Sequence, residues 1–248
     1  TKTVKILPNV QSWRYISIGN AYQVCRNMET NSVYGWGTSG NGIDTHLMKN
    51  SEWGAVAYLS KSAYGKGTEE IWINPANNYT TGCAGDSVSS SSTTDCLWTY
   101  DTTNGVKASS TGTIYGIYDL SGGAWEMVSA YVDNAHAYLA TYGSQIMSAD
   151  GKYKDVYTVG GTDNQANNYA LTVNKKGDAV WETGNNINES SSWFADYSYM
   201  PFTSSPWFHR GGYYNNTTNA GAFNFSNTRG TPSGFISFRP VLVVNTGL

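Results

Sequence analysis

Few side chains in this chain could carry covalent chemistry, and their spacing limits what they could do. The 248 residues include three cysteines, Cys25, Cys83 and Cys96, and three histidines, His46, His136 and His209. No cysteine pair has C-x-x-C spacing and the histidines lie far apart, which argues against a zinc site. A nucleophile needs an activating base within reach. There is no Gly-x-Ser-x-Gly elbow, no Cys/His pairing that the sequence supports, and no glycine-rich phosphate loop following a strand. Asp119 and Glu126 form an acidic pair of the kind that does two-carboxylate acid–base work. The competing role for Glu126 is structural, a buried carboxylate that ties loops together through backbone amides. No cofactor is expected. A structural calcium would draw on Asp150 with Asp155, or on Asp163 and Asn164, without EF-hand spacing.

Residues suited to recognition are more plentiful. The segment 207–232 gathers Trp207, Phe208, His209, Tyr213, Tyr214, Asn215, Asn216, Thr218, Asn219, Ala222, Asn224, Ser226, Asn227, Arg229 and Thr231 in glycine-supported sequence. Tyrosine and tryptophan give large contact area at low entropy cost, and Asn, Ser and Thr adapt their hydrogen bonds. The plainer alternative is a surface hairpin with solvated asparagines. Alternation puts Ala222, Asn224 and Ser226 on one side, expected exposed, and Phe223 and Phe225 on the other, expected in the core.

The elements that must position this tract are legible in part. Segment 115–128 holds a turn at Gly122-Gly123, where adjacent glycines allow positive φ or close approach of another segment. Trp125 is expected to fill the core behind it. Val4-Lys5-Ile6-Leu7 reads as an edge strand, and Gly35-Trp36-Gly37 and 39–42 read as loop. Asn20 is a candidate cap for a helix over 21–28. Asp44 or Thr45 opens the strongest helical pattern, with Leu47, Met48, Trp53, Val56 and Leu59 on its apolar face, and 50–52 as an alternative restart. His46 then reads as a satisfied histidine at the helix start. Residues 70–74 read as a short strand stopped by Pro75, 156–159 as an apolar run ended by Gly160-Gly161, 164–172 as a short helix, and 179–182 as another. The closing 235–244 reads as a buried strand. Residues 75–112 form a long loop-rich stretch. Cys83 and Cys96 flank its Ser/Thr run. A bridge between them would contribute about 3 kcal/mol on the chain-entropy model and favour an oxidising compartment; the alternative is two free thiols. Cys25 reads as a buried small apolar residue.

Composition sets the class. Charged residues are 13% of the chain and aromatics 14%, with 27 glycines and a net charge of −3. The surface must therefore be built from Asn, Ser, Thr and Tyr, which suits an extracellular recognition protein as well as a loop-rich β protein. No basic stripe supports nucleic-acid binding, and no apolar run reaches the roughly 20 residues of a membrane span. No signal peptide is visible, and the opening Thr1-Lys2-Thr3 leaves room for a leader or anchor upstream. Nothing marks a domain boundary.

Three motifs carry a resemblance. Gly116-Ile117-Tyr118-Asp119-Leu120-Ser121-Gly122-Gly123-Ala124-Trp125-Glu126, then Arg210-Gly211-Gly212, then Phe238-Arg239-Pro240 resemble signature elements of the formylglycine-generating-enzyme (sulfatase-modifying factor) family, in the same order. The resemblance spans about residues 13–242 and implies an α+β, C-type-lectin-like fold of that subtype, as one domain over 1–248. It casts Gly122, Gly123, Trp125, Glu126, Arg210 and Arg239 as structural residues. Those enzymes carry reactive cysteines in the C-terminal part, whereas all three cysteines here precede residue 97, so enzymatic activity is not expected.

The order Trp207-Phe208-His209-Arg210-Gly211-Gly212, an Asn/Tyr/Ser-rich tract, then Phe238-Arg239-Pro240 at the C-terminus is similar to the variable proteins of diversity-generating retroelements. Adenine rewriting of Asn codons cannot yield Lys, Glu, Gln, Met or Trp, and 208–240 contains none of these five. The resemblance implies a ligand-binding region at about 207–239 and a protein or glycan ligand on a cell or host surface. It also implies an extracellular setting on a bacterial surface or phage virion. The alternatives are an enzyme of the same superfamily with altered chemistry, and a fibre or pilus appendage whose 207–232 face is packed.

Overall fold

The computed structural model describes residues 7–33, 42–184 and 190–244. The expected edge strand at 4–7 falls almost wholly outside them, as does most of the expected loop at 35–42. The architecture is mixed α and β. Four helices, α1 (Ile18–Asn27), α2 (Asn50–Ser60), α3 (Ala137–Met147) and α4 (Gln165–Ala170), surround a sheet. The strands are β1 (Ile43–Leu47), β2 (Cys83–Ala84), β3 (Trp98–Thr99), β4 (Trp125–Asp133), β5 (Asp155–Thr158), β6 (Ser190–Ser191), β7 (Tyr197–Ser198), β8 (Trp207–Gly211), β9 (Gly221–Thr228), β10 (Ile236–Phe238) and β11 (Pro240–Val244).

The main sheet runs β10-β4-β8-β9-β7-β6, with β5 parallel to β4. β4 is buried on both faces because its alternate residues serve two cores. Val128, Ala130 and Val132 pack with Trp53, Phe208, Phe223 and Phe225 on one side. Met127 and Tyr131 pack with Ile18, Tyr22, Leu139, Ile146 and Trp207 on the other. The two phenylalanines of β9 are thus core, as their alternation suggested.

Helix α1 begins at Ile18, capped by Ser17 rather than Asn20. Ile18, Ala21, Tyr22 and Cys25 follow the one-face helical spacing and are buried. The stretch 44–47 is a strand, not a helix start. β1 pairs antiparallel with β11, with Thr45 opposite Leu242 and Leu47 opposite Pro240. The helix starts afresh at Asn50, where the Glu52 carboxylate accepts the Lys49 N–H at 2.9 Å. His46 therefore lies on β1, satisfied between Asp44 (3.2 Å) and Glu52 (2.7 Å).

Residues 70–74 are extended but form no ladder. Their amides and carbonyls go to separate loops: Trp72 N–H to Lys107 O, Asn74 N–H to Ser121 O, and Gly85 N–H to Ile73 O. Residues 179–182 are turn, and Ala179 and Val180 sit in the core. The short helix at 164–172 is present, with Asn164 as its cap. Cys83 and Cys96 form a disulfide, and Cys25 is a buried free thiol.

Candidate ligand-binding cleft

The double glycine sets the geometry. Gly122 and Gly123 both have positive φ, 77° and 68°. A Cβ at Gly122 would stand 2.4 Å from Asn74 O, so the chain passes there only as glycine. Gly122 N–H donates to Gly211 O at 3.1 Å and Gly123 N–H to Asn74 O at 2.7 Å. Gly123 O in turn accepts the Tyr214 N–H at 2.9 Å. The turn therefore clamps the end of β8 and the start of the 213–219 loop to the first residue of β4.

That residue, Trp125, fills the core expected of it only in part, packing against the cluster of Met127, Tyr131 and Trp207. It is half-buried, and its indole stacks on the His209 ring from β8, with centroids 4.0 Å apart and planes 6° from parallel. Tyr213 lies near-parallel to the indole at 6.5 Å, and Phe235 meets Tyr213 edge-on at 5.9 Å. Trp125, His209, Tyr213, Ser233, Phe235 and Ile236 enclose an open cleft of ≈ 300 Å³. The run of rings continues through Tyr214 to Tyr79, which is buried beneath the Arg14 guanidinium. Trp13 (57% exposed) and Tyr15 (72%) extend it along the neighbouring loop.

His209 is buried, and burial lowers its pKa from 6.5 to about 3. The ring is therefore neutral near pH 7. Its Nδ1 is buried without a hydrogen-bond partner. A buried orphan N–H is costlier than an under-used acceptor, so the proton belongs on Nε2.

The expected site residues divide. Tyr213 lines the cleft half-buried, with Tyr214 edge-on to it, while Asn215, Thr218, Asn219 and Arg229 are exposed, Arg229 over the Tyr138 ring of α3. Asn216, Asn227 and Thr231 are intermediate, and the Asn216 side chain accepts the Tyr213 N–H at 2.8 Å. Trp207 and Phe208 are wholly buried and belong to the two cores. Ala222, Asn224 and Ser226, expected to be exposed, are buried as well. β9 has strands on both edges, and the loop before it folds back over this face, where Asn219 O accepts the Asn224 side-chain N–H at 2.6 Å. Phe235 and Ser233 were not singled out from sequence, and neither were Tyr79 and the exposed aromatics at 13 and 15. A phenylalanine directly after the turn-like Pro232-Ser233-Gly234 is the one hint the sequence carries, and the ring stands 53% exposed.

The structural residues behave differently from one another. Arg210 is fully buried and donates to Ala179 O at 3.3 Å. Glu126 ties loops through a partner rather than through backbone amides. Arg239 Nε donates to its Oε2 at 2.8 Å, and the same guanidinium donates to Tyr118 O at 2.9 Å. Glu126, Asp119 and Arg239 border a second groove of ≈ 320 Å³ that also includes Trp13 and Phe238. Burial raises the Asp119 and Glu126 carboxyls above their ordinary range. Both are already engaged, Glu126 by Arg239 and Asp119 by Asn74 (2.7 Å) and the Gly82 N–H (3.0 Å).

Among the described residues no group of three or more His, Cys, Asp or Glu is arranged to hold a metal ion. Asp155 and Asp163 are used by the protein itself, accepting from Ser51 N–H and from Asn134, Asn168 and Thr203 N–H. No helix among the described residues is long and apolar enough to cross a membrane. No protein-family model matches the chain, and no curated protein matches it.

Proposed function

We propose that this is a non-enzymatic binding protein that recognises a macromolecular ligand, protein or glycan, through the aromatic cleft and the loops around it. The observation that carries the reading is the ring set of Trp125, His209, Tyr213 and Phe235, held open on a glycine-clamped frame. Aromatic anchors with adaptable Asn and Thr neighbours are the usual makings of a recognition face. In this reading the fold is of the C-type-lectin-like, formylglycine-generating-enzyme-like type. The chain is a variable protein of a diversity-generating retroelement, displayed on a bacterial surface or phage virion. The disulfide is compatible with such an extracellular setting.

A second reading, an enzyme of that superfamily with altered chemistry, draws on the raised carboxyls of Asp119 and Glu126 beside the second groove. Their full engagement by Arg239, Asn74 and Gly82 favours scaffold over acid–base work.

The test uses the fluorescently labelled chain on a panel of intact bacterial and eukaryotic cells, read by flow cytometry. The variant Tyr213→Ala/Tyr214→Ala is expected to lose cell binding while its far-UV circular dichroism stays that of the parent, the four lost ring contacts costing about 2 kcal/mol or more of stability. Binding that survives this variant would remove the cleft from the account.

A further inference from the structure

We propose that the cleft of Trp125, Tyr213 and Phe235 holds an uncharged sugar ring, a hexopyranose unit of a glycan. The proposal rests on the reading above that this face binds a ligand, and it commits that ligand to a class.

Charge is the first argument. The cleft is lined by three aromatic rings, an imidazole, a serine hydroxyl and Ile236, with no charged side chain. Arg14, on the adjoining loop, is occupied by Gly234 O at 2.6 Å and by the Tyr79 ring. A sulfate, phosphate or sialic carboxylate would give up water here without gaining a cation.

Backbone accounting is the second. A peptide bound as an added strand needs a row of free main-chain groups. The carbonyls along this wall are taken: Ser233 O by Tyr15 N–H (3.0 Å), Gly234 O by Arg14, and Phe235 O by Trp125 N–H (3.0 Å). Ile236 is already paired with Trp125 in the sheet. What remains for a ligand is ring faces and a few polar tips.

Shape and polarity are the third. The cleft's ≈ 300 Å³ lies at the small end of ligand sites, suited to a ring or two rather than to a helix. A pyranose has an apolar C–H face, which suits the indole and phenol faces, and a hydroxyl rim. That rim meets the Ser233 hydroxyl, which accepts the Phe235 N–H at 3.2 Å and keeps its own O–H to donate.

The experiment titrates the whole chain with glucose, galactose, mannose, N-acetylglucosamine and short neutral oligosaccharides of each. Sialyllactose and a proline-rich peptide serve as contrasts. The readout is the indole N–H resonance of Trp125. At least one neutral sugar is expected to shift it saturably. Tyr213→Ala and Phe235→Ala should each weaken that binding about fivefold or more, while Tyr64→Ala, at a 91% exposed tyrosine in the turn after α2 and away from the cleft, leaves it unchanged. Phe235 is largely exposed, so its variant tests the contact without endangering the fold. No saturable shift with any neutral sugar overturns the sugar assignment. If only sialyllactose or the peptide shifts the indole, the assignment falls while the cleft stands. If cell binding persists in both variants, the cleft itself falls.

Discussion

Strand β9 and the 213–219 loop that leads to it both draw on asparagine, threonine and aromatic residues, yet they do opposite work. Asn224 on β9 is wholly buried, its amide donating to Asn219 O at 2.6 Å. Asn215 in the loop is exposed. The side chains do not decide this. β8 is flanked by β4 and β9, and β9 by β8 and β7, so backbone pairing seals both strands on both sides. The loop instead satisfies its amides locally, Asn216 N–H to Tyr213 O and Asn219 N–H to Asn216 O, each at 2.9 Å. It is attached to the scaffold at its start, through Tyr214 and Gly123. A tract of turn-forming and aromatic residues can thus be core or contact surface according to who its neighbours are.

That contrast can be broken by mutation. Phe223→Ala empties a fully buried ring site between Tyr58, Trp193 and Phe194 and is expected to cost about 3–5 kcal/mol in chemical denaturation. Thr218→Ala in the loop should stay within about 0.5 kcal/mol of the parent. Similar losses at the two positions would erase the division.

A smaller, pH-dependent effect sharpens the boundary between core and cleft at His209. Its folded pKa is about 3 against 6.5 for the free ring, through burial. Protonation therefore favours the unfolded chain. The site imposes no penalty above about pH 6.5 and costs stability progressively as pH falls from there toward 3. His209→Phe removes this titration. Its stability relative to the parent should improve on acidification by up to about 1.4 kcal/mol per pH unit across that window, followed by denaturation at several pH values. The raised carboxyls of Asp119, Asp178, Asp196 and Glu126 push the other way, but they are common to both proteins and cancel in the difference. A flat difference would show that the ring is solvated rather than buried.

What was readable in the sequence follows from range. The Gly122-Gly123 turn, the Cys83–Cys96 bridge, the short helix at 164–172 and the core side of Phe223 and Phe225 depend on residues close together in the chain. The strand at 43–47 was not readable, because its partner lies about 200 residues later and overrides a local helical pattern. The same holds for Ala222, Asn224 and Ser226. Their alternation was correct, but the cover over their face comes from the 213–219 loop folding back onto it, which alternation does not contain. Trp125 was placed in the core because a tryptophan after a tight turn usually packs inward. The stack on His209 needs β8 alongside β4, a pairing no local pattern contains. Phe235 was missed for the same reason, since it becomes a cleft wall only when β10 joins β4.

The most direct measurement compares two libraries of the same chain, one randomised at Tyr213, Asn215, Thr218, Asn219, Arg229 and Thr231, the other at Trp207, Phe208, Ala222, Asn224, Phe225 and Ser226. Each is displayed and scored for the fraction that resists proteolysis. The account expects most members of the first library to remain folded and most of the second to unfold. Equal folded fractions, or a first library that collapses, would contradict a recognition surface carried on a sealed frame.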